Sequence, residues 1–415
     1  MDALRIEGNR PLNGCVSIEG AKNAALPACV AALLTAEPIV LHRVPQLRDV
    51  STILFTLSDL GKRVVRNEDR VVISEGTSLS PNANAYSVRQ MRASFLVLGP
   101  LVARLGEARV PLPGGCAIGQ RPVDLHLDGL RALGADIEER DGAVVVRSDG
   151  LRGAGVNLRF PSVGATEHLL MAAAVARGET TLRNASVEPE VLDLVGLLRS
   201  MGARIERSGR TYTIHGGTLN GATHRLMSDR MEAGTYLLAG AMTGGRVSIE
   251  IEDGDPLRPF LDVLVESGAT IEESAGRITV SSPNTLLPVS VETAPHPGFP
   301  TDLHPPLVSF LSGVVGESKV LETVFESRFA YVAELCRMGA RIRVSGSCVT
   351  VCGGTRLRGS DVEATDIRAG AALVLAALAA NGTSTITGID QLDRGYSRLD
   401  EKLRLLGAKV ERITL

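Results

Sequence analysis

Apolar residues in this chain recur at helical spacing in separate stretches, and each stretch ends on the same short phrase. Val191, Leu194, Val195, Leu198 and Met201 share one helical face, and Gly202 follows at once. The same ending returns at Leu60-Gly61, Leu133-Gly134, Ser267-Gly268, Met338-Gly339 and Leu406-Gly407. Each glycine reads as the residue that closes a helix in a left-handed conformation and turns the chain into a strand, such as the one opening at Arg204-Ile205. A further strand precedes each helix, as at Thr180-Thr181-Leu182. The unit is therefore strand, loop, helix, glycine turn, strand, repeated at intervals of roughly 70 residues. One such unit cannot bury its own apolar helix face. Three or more must cluster, with helices inside and sheets outside.

The six copies divide naturally into two groups of three, and a chain of 415 residues is long for a single core. The polar run Ser228-Asp229-Arg230-Met231-Glu232 separates two apolar stretches and is the candidate hinge. Alanine-rich helices over 23–34 and 166–176 suit the interiors, where small side chains let helices approach closely, and they account for an aromatic content of 3%. The packing of the first strand, Leu4 to Ile6, is not legible from sequence.

A net charge of −3 with no basic block argues against nucleic acid or an anionic membrane as the main partner. No run approaches a membrane span, and the charged N-terminus lacks the apolar core of a signal peptide. The cysteines, Cys15, Cys29, Cys116, Cys336, Cys348 and Cys352, form neither a CxxC pair nor a disulfide framework, which fits a reducing cytoplasm. Cys348 and Cys352 have the same parity in a strand-like run and are expected to pack in the sheet. No structural metal and no cofactor are expected.

Chemistry gathers in a few loops. Leu112 to Pro122 holds three glycines and two prolines around Cys116, which excludes helix and regular strand. Arg121 follows, and Pro122-Val123-Asp124 reads as a helix start with proline at its first position. A cation and a helix N-terminus lower a thiol's pKa and attract phosphate or carboxylate. The alternative is a turn whose cysteine is a small buried hydrophobe.

Lys22 and Asn23 follow Gly20 at the start of an apolar helix, where the lysine either binds a ligand or snorkels to solvent. Arg92, Arg368 and Arg394 also stand at or before helix starts. A cation in a first turn opposes the helix dipole at a cost of about 0.5 kcal/mol unless an anion sits beside it, so a shared anion is expected. The segment Ala294-Pro295-His296-Pro297-Gly298-Phe299-Pro300-Thr301-Asp302 is a rigid approach ending in an acid. Thr301 could cap the following helix, and Asp302 is either functional or a capping acid. His296 and His304 lack a nearby nucleophile and orienting acid, and they read as supporting residues.

With these segments in view, the chain resembles the UDP-N-acetylglucosamine enolpyruvyl transferases (1-carboxyvinyltransferases) from end to end, most specifically over 20–27, 91–94, 112–124, 161–166, 294–302, 322–328, 364–368 and 393–396. The resemblance implies an α/β fold of two inside-out α/β barrels built from six strand-helix-strand repeats, three per domain. One domain covers 22–229, and the other covers 230–415 with the strand of 1–21.

The activity implied is transfer of the enolpyruvyl group of phosphoenolpyruvate to the 3-hydroxyl of UDP-N-acetylglucosamine by addition and elimination. It is the first committed step of peptidoglycan precursor synthesis, needs no cofactor, and is the target of fosfomycin. On the family pattern Cys116 is the general acid and Asp302 the base for the sugar hydroxyl. Lys22, Arg121 and Arg394 hold phosphoenolpyruvate, with Arg92 and Arg368 nearby. The UDP-sugar would lie in a cleft against Asn23, Arg121, Pro122, Val123, Asp124, Leu125, Ser162, Val163, Gly164, Asp302 and Val324. A cytoplasmic monomer is the favoured state.

Two departures stand out. Phe160 occupies a position where many relatives carry lysine, and Leu303-His304-Pro305-Pro306 replaces a segment that usually holds glutamines. An enolpyruvyl transferase acting on a different nucleotide or nucleotide sugar is the alternative.

Overall fold

The six glycines that end the apolar stretches all take left-handed φ angles, from +88° at Gly134 and Gly268 to +104° at Gly61. In five of the six copies the residue after the glycine donates its N–H back into the last helical turn, as Ala203 does to Leu198 (2.9 Å) and Ala340 to Leu335 (3.0 Å). Only a residue without a Cβ takes this conformation freely, so the recurring phrase is the geometry of one turn made six times.

The computed structural model describes residues 2–113, 123–282 and 285–415. These form two compact units, one of 2–19 with 228–415 and one of 20–113 with 123–227. Their strands make six separate sheets, three in each unit, and no single closed barrel. Every glycine phrase leads into an edge strand of one sheet. Thus Arg204–Ser208 pairs antiparallel with Thr211–His215, which pairs with Glu179–Arg183, which takes Gly155–Asn157 as a parallel edge. Asp2–Glu7 is an inner strand of a four-stranded sheet, between Thr383–Thr387 and Lys409–Thr414, with Leu4 opposite Ile386 and Ile6 opposite Val410.

Helices fill the middle of each unit. Lys22–Ala31, Leu98–Leu105 and Val163–Ala173 lie in one core, and Arg230–Met242, His304–Gly313 and Ile367–Ala379 pack on one another in the other. These helices bury nearly every face, which explains their lack of a polar stripe: Ile367–Ala379 reads IRAGAALVLAALA. Among the described residues no helix is long and apolar enough to cross a membrane.

The polar run expected to be a hinge begins where one unit gives way to the other, between 227 and 228, and there Asp229 caps the helix Arg230–Met242, accepting the N–H groups of Met231 (2.8 Å) and Glu232 (3.0 Å). Two local expectations change. In the strand Cys348–Gly353 the buried residues are Val349 and Val351, whereas Cys348 is half-buried and Cys352 exposed. The two cysteines do share a face, but it is the outer one. The helix expected to open at Pro122 instead spans Asp124–Ala132 with Val123 before it, and Pro122 lies outside the described residues.

Candidate active site

In the first unit, Asp302 stands in a 3-10 turn, Thr301–Leu303, directly before the helix His304–Gly313. It caps nothing, and neither does Thr301. Its Oδ1 accepts from Arg328 Nη2 at 2.7 Å, and its Oδ2 accepts from Arg368 Nη2 at 2.8 Å and Nε at 3.1 Å. Burial alone would raise this carboxyl's pKa. Arg368 and Arg328 outweigh that and hold it well below the usual carboxylate range, so it is ionised throughout the working range of pH.

Arg368 sits at the second position of the helix Ile367–Ala379, whose N-terminal N–H groups are capped by Asp366. The anion expected to offset this cation is therefore Asp302. The third nitrogen, Nη1, donates to the Tyr396 hydroxyl (3.2 Å), which meets Thr235 Oγ1 at 2.9 Å. All of the guanidinium's nitrogens are thus engaged inside the protein. Arg394 lies just past the helix Ile389–Leu392, and its Nη1 donates to Gln391 Oε1 (3.0 Å). Val324 begins a turn held by Glu322, which accepts its N–H at 2.8 Å.

In the second unit, Lys22 is the first residue of the helix Lys22–Ala31, which has no side-chain cap. Its Nζ lies 3.3 Å from Asp49, a buried acid in the first turn of Arg48–Asp59, so the lysine is directed inward instead of snorkelling. A Cβ on Gly20 would stand 1.8 Å from the Arg43 carbonyl oxygen, which is why glycine leads this motif. Asn23 is half-buried beside Lys22, and Arg92 opens the 3-10 helix Arg92–Val97.

Ser162 caps Val163–Ala173 by accepting the Ala165 N–H at 3.3 Å. The Val163 and Gly164 N–H groups precede the helix's first internal bond, made by Thr166 to Ser162, so they suit an anion such as a diphosphate. Phe160 is 41% exposed and brings no charge. Its neighbour Arg159 does, and it is ion-paired with Asp124. Burial would raise the Asp124 carboxyl, but Arg159 and the Leu125 N–H hold it below its ordinary value. Val123 and Leu125 flank it, both half-buried.

Behind this loop lies a buried histidine pair. Gly99 donates its N–H to His168 Nε2 (2.6 Å), and His168 Nδ1 meets His126 Nδ1 at 3.2 Å. Burial pushes His168 down to about 3, so it is neutral and its Nδ1 is the protonated nitrogen. The His126 ring packs under Gly164, where an added Cβ would meet Cε1 at 3.4 Å.

Cys116, Arg121 and Pro122 lie outside the described residues. Sequence reasoning did not single out Arg328, Glu322 or the histidine pair. Arg328 could have been found as the last residue of the specific segment 322–328, but nothing in its spacing names Asp302 as its partner.

The sequence matches the family described as EPSP synthase (3-phosphoshikimate 1-carboxyvinyltransferase) over residues 6–403. It is 47% identical to the UDP-N-acetylglucosamine 1-carboxyvinyltransferase 2 of Carboxydothermus hydrogenoformans and 47% identical to the UDP-N-acetylglucosamine 1-carboxyvinyltransferase of Azorhizobium caulinodans, covering all of both chains in each comparison. Among solved structures it is similar to the enolpyruvyl transferase NikO of Streptomyces tendae, with a TM-score of 0.92 at 27% identity over 100% of this chain and 99% of that one. The fold is also that of an EPSP synthase from Acinetobacter baumannii (TM-score 0.78, 20% identity, both chains covered in full).

Proposed function

The chain belongs to the enolpyruvyl (1-carboxyvinyl) transferase family, and from that premise we propose that it transfers the enolpyruvyl group of phosphoenolpyruvate to the 3-hydroxyl of UDP-N-acetylglucosamine, releasing inorganic phosphate. In the addition step the sugar oxygen bonds to C2 of phosphoenolpyruvate as its proton passes to Asp302. The methylene carbon gains a proton from Cys116 and becomes a methyl group. In the elimination step the C2–O bond to phosphate breaks as that methyl group returns a proton to the Cys116 thiolate, which restores the double bond, and the proton held by Asp302 leaves with the phosphate. The product is the first committed precursor of peptidoglycan, and the reading carries with it a cytoplasmic, monomeric enzyme.

The observation that carries the reading is the Asp302 carboxylate, ionised and fixed between Arg328 and Arg368. A carboxylate so placed is always free of its proton and always aimed. The same cations weaken it as a base, so proton transfer belongs to the moment of bond formation, when the attacking hydroxyl grows acidic. Arg368, held by Asp302 and Tyr396, acts on the base, and on the family pattern Lys22, Arg121 and Arg394 meet the phosphate and carboxylate of phosphoenolpyruvate with Arg92 nearby. Asn23, Val123 to Leu125, the Ser162-Val163-Gly164 loop and Val324 take the UDP-sugar, with Arg159 supplying the cation that Phe160 lacks.

Phosphate release measured with each substrate omitted in turn tests the reading. Release should require phosphoenolpyruvate and UDP-N-acetylglucosamine together. Release with a different nucleotide or nucleotide sugar, and none with UDP-N-acetylglucosamine, would favour the specialised enolpyruvyl transferase instead.

A further inference from the structure

A second carboxylate lies behind the Asp302 clamp. Glu322, 2% exposed just past the strand Gly316–Leu321, accepts five hydrogen bonds. Its Oε1 takes the Thr293 hydroxyl (2.9 Å) and the N–H groups of Val324 (2.8 Å) and Phe325 (3.1 Å). Its Oε2 takes the Thr301 hydroxyl (2.8 Å) and His304 Nδ1 (2.9 Å). His304 is fully buried, and its Nε2 meets the Tyr331 hydroxyl at 2.9 Å.

Every proton in this array has one direction. Burial would raise the Glu322 carboxyl, but His304, Thr301 and the Val324 N–H outweigh it and keep Glu322 ionised, so it only accepts. His304 Nδ1 must then carry a hydrogen. Burial holds the ring neutral, so Nε2 accepts from Tyr331. Thr301 gives its hydrogen to Glu322 and offers a lone pair to Arg328 Nη1 (2.8 Å), whose Nη2 holds Asp302 (2.7 Å).

We infer that Glu322 and His304 are positioning residues for the reaction: through Thr301 and Arg328 they aim the Asp302 carboxylate, and through the Val324 and Phe325 N–H groups they fix the turn assigned to the sugar. The inference rests on the reading of Asp302 as the base. A buried polar array without a task is replaceable by apolar side chains at little cost. Here two of the five donors belong to Thr301, next to Asp302, and to Val324, so polarity is tied to the two places where substrate is expected.

The test is steady-state kinetics over pH on His304→Phe, which removes the donor, and His304→Asn, whose amide can return one where Nδ1 stood. His304→Phe should lower kcat by about 10- to 100-fold, the scale of a misplaced reacting group, with KM for phosphoenolpyruvate unchanged. The groups facing Asp302 are Arg328 and Arg368, and a loosened Arg328 shields it less. Its pKa then rises, so an acid limb of kcat should move up into the accessible range. His304→Asn should recover most of both effects. Thr301→Val cuts the same link without changing shape and should reproduce the acid limb, which keeps the question decidable if His304→Phe fails to fold.

Asp302→Asn, measured alongside, separates the two ways of failing. An active Asp302→Asn overturns the base reading and the positioning role with it. An inactive Asp302→Asn, with wild-type kcat and pH profile in the His304 and Thr301 variants, overturns the positioning role alone.

Discussion

Arg368 reaches Asp302 with two nitrogens on one oxygen, Nη2 at 2.8 Å and Nε at 3.1 Å. The arginine stands in the first turn of Ile367–Ala379, where a helix disfavours a cation, and the acid stands just before His304–Gly313, where a helix favours an anion. Pairing the two cancels the misplaced cation and leaves the carboxylate ionised at the start of its own helix.

Removing the cation should therefore cost stability as well as activity. Arg368→Met leaves Asp302 with Arg328 alone. Because the acid's side chain is 25% exposed, the loss should be roughly 2 kcal/mol, below the range for fully buried pairs. Urea unfolding of the two single variants and of Arg368→Met/Asp302→Asn checks this, since the double variant should recover part of the loss. Additive losses would show that the two residues do not stabilise one another.

The repeat turns give a second test that is free of the site. Gly407 has a φ of +91° and nothing within 4 Å of where a Cβ would stand, so Gly407→Ala should cost about 1–2 kcal/mol from conformation alone. Gly196, inside the helix Pro189–Ser200, has ordinary φ and its nearest neighbour at 3.6 Å. Gly196→Ala should stabilise by up to about 1 kcal/mol. Thermal unfolding of both variants reads the sign directly.

These turns were legible because a left-handed residue leaves its mark at a single position, and six marks at even intervals name an architecture. The site was legible only where chemistry and local structure coincide. Asp302 stood out through the prolines and glycine around it, whereas Ser162 entered through the family resemblance and its cap only through the structure. Arg328 did not, because its link to Asp302 is made by the approach of two loops 26 residues apart in sequence. His304 looked unaccompanied for the same reason: its acid is Glu322, 18 residues away. The inward or outward face of Cys348 and Cys352 was set by sheet register, which parity alone leaves undetermined.

Fosfomycin should alkylate Cys116 and no other cysteine. Cys29 is wholly buried, and burial pushes its thiol up to about 12, so it offers no thiolate to an epoxide. Cys336 and Cys352 are exposed and serve as internal controls for unselective reaction. Peptide mass mapping after incubation with UDP-N-acetylglucosamine checks this, and an adduct on Cys336 or Cys352 in place of Cys116 would remove the assigned acid.

Glu167 should make the protein less stable as pH rises. It lies in the helix Val163–Ala173, it is 4% exposed, and its Oε1 has no hydrogen-bond partner among the described residues. Burial first, and the charge of Glu190 second, hold its carboxyl well above the ordinary range. The folded state therefore keeps a proton that the unfolded chain releases above about pH 4.5. That advantage is complete below the unfolded value and is lost as pH rises towards the folded one. Glu167→Gln removes the titration, so its stability should gain on the wild type by up to about 1.4 kcal/mol per pH unit above the unfolded value, for as long as the folded carboxyl keeps its proton. Urea midpoints at several pH values give the two slopes, and parallel lines would mean that Glu167 is ionised in the folded protein. A neutral Glu167 also fits the loop it follows. An ionised carboxylate five residues beyond Ser162 would set a negative charge inside the helix whose N-terminal N–H groups are proposed to meet a diphosphate, and a protonated one adds none.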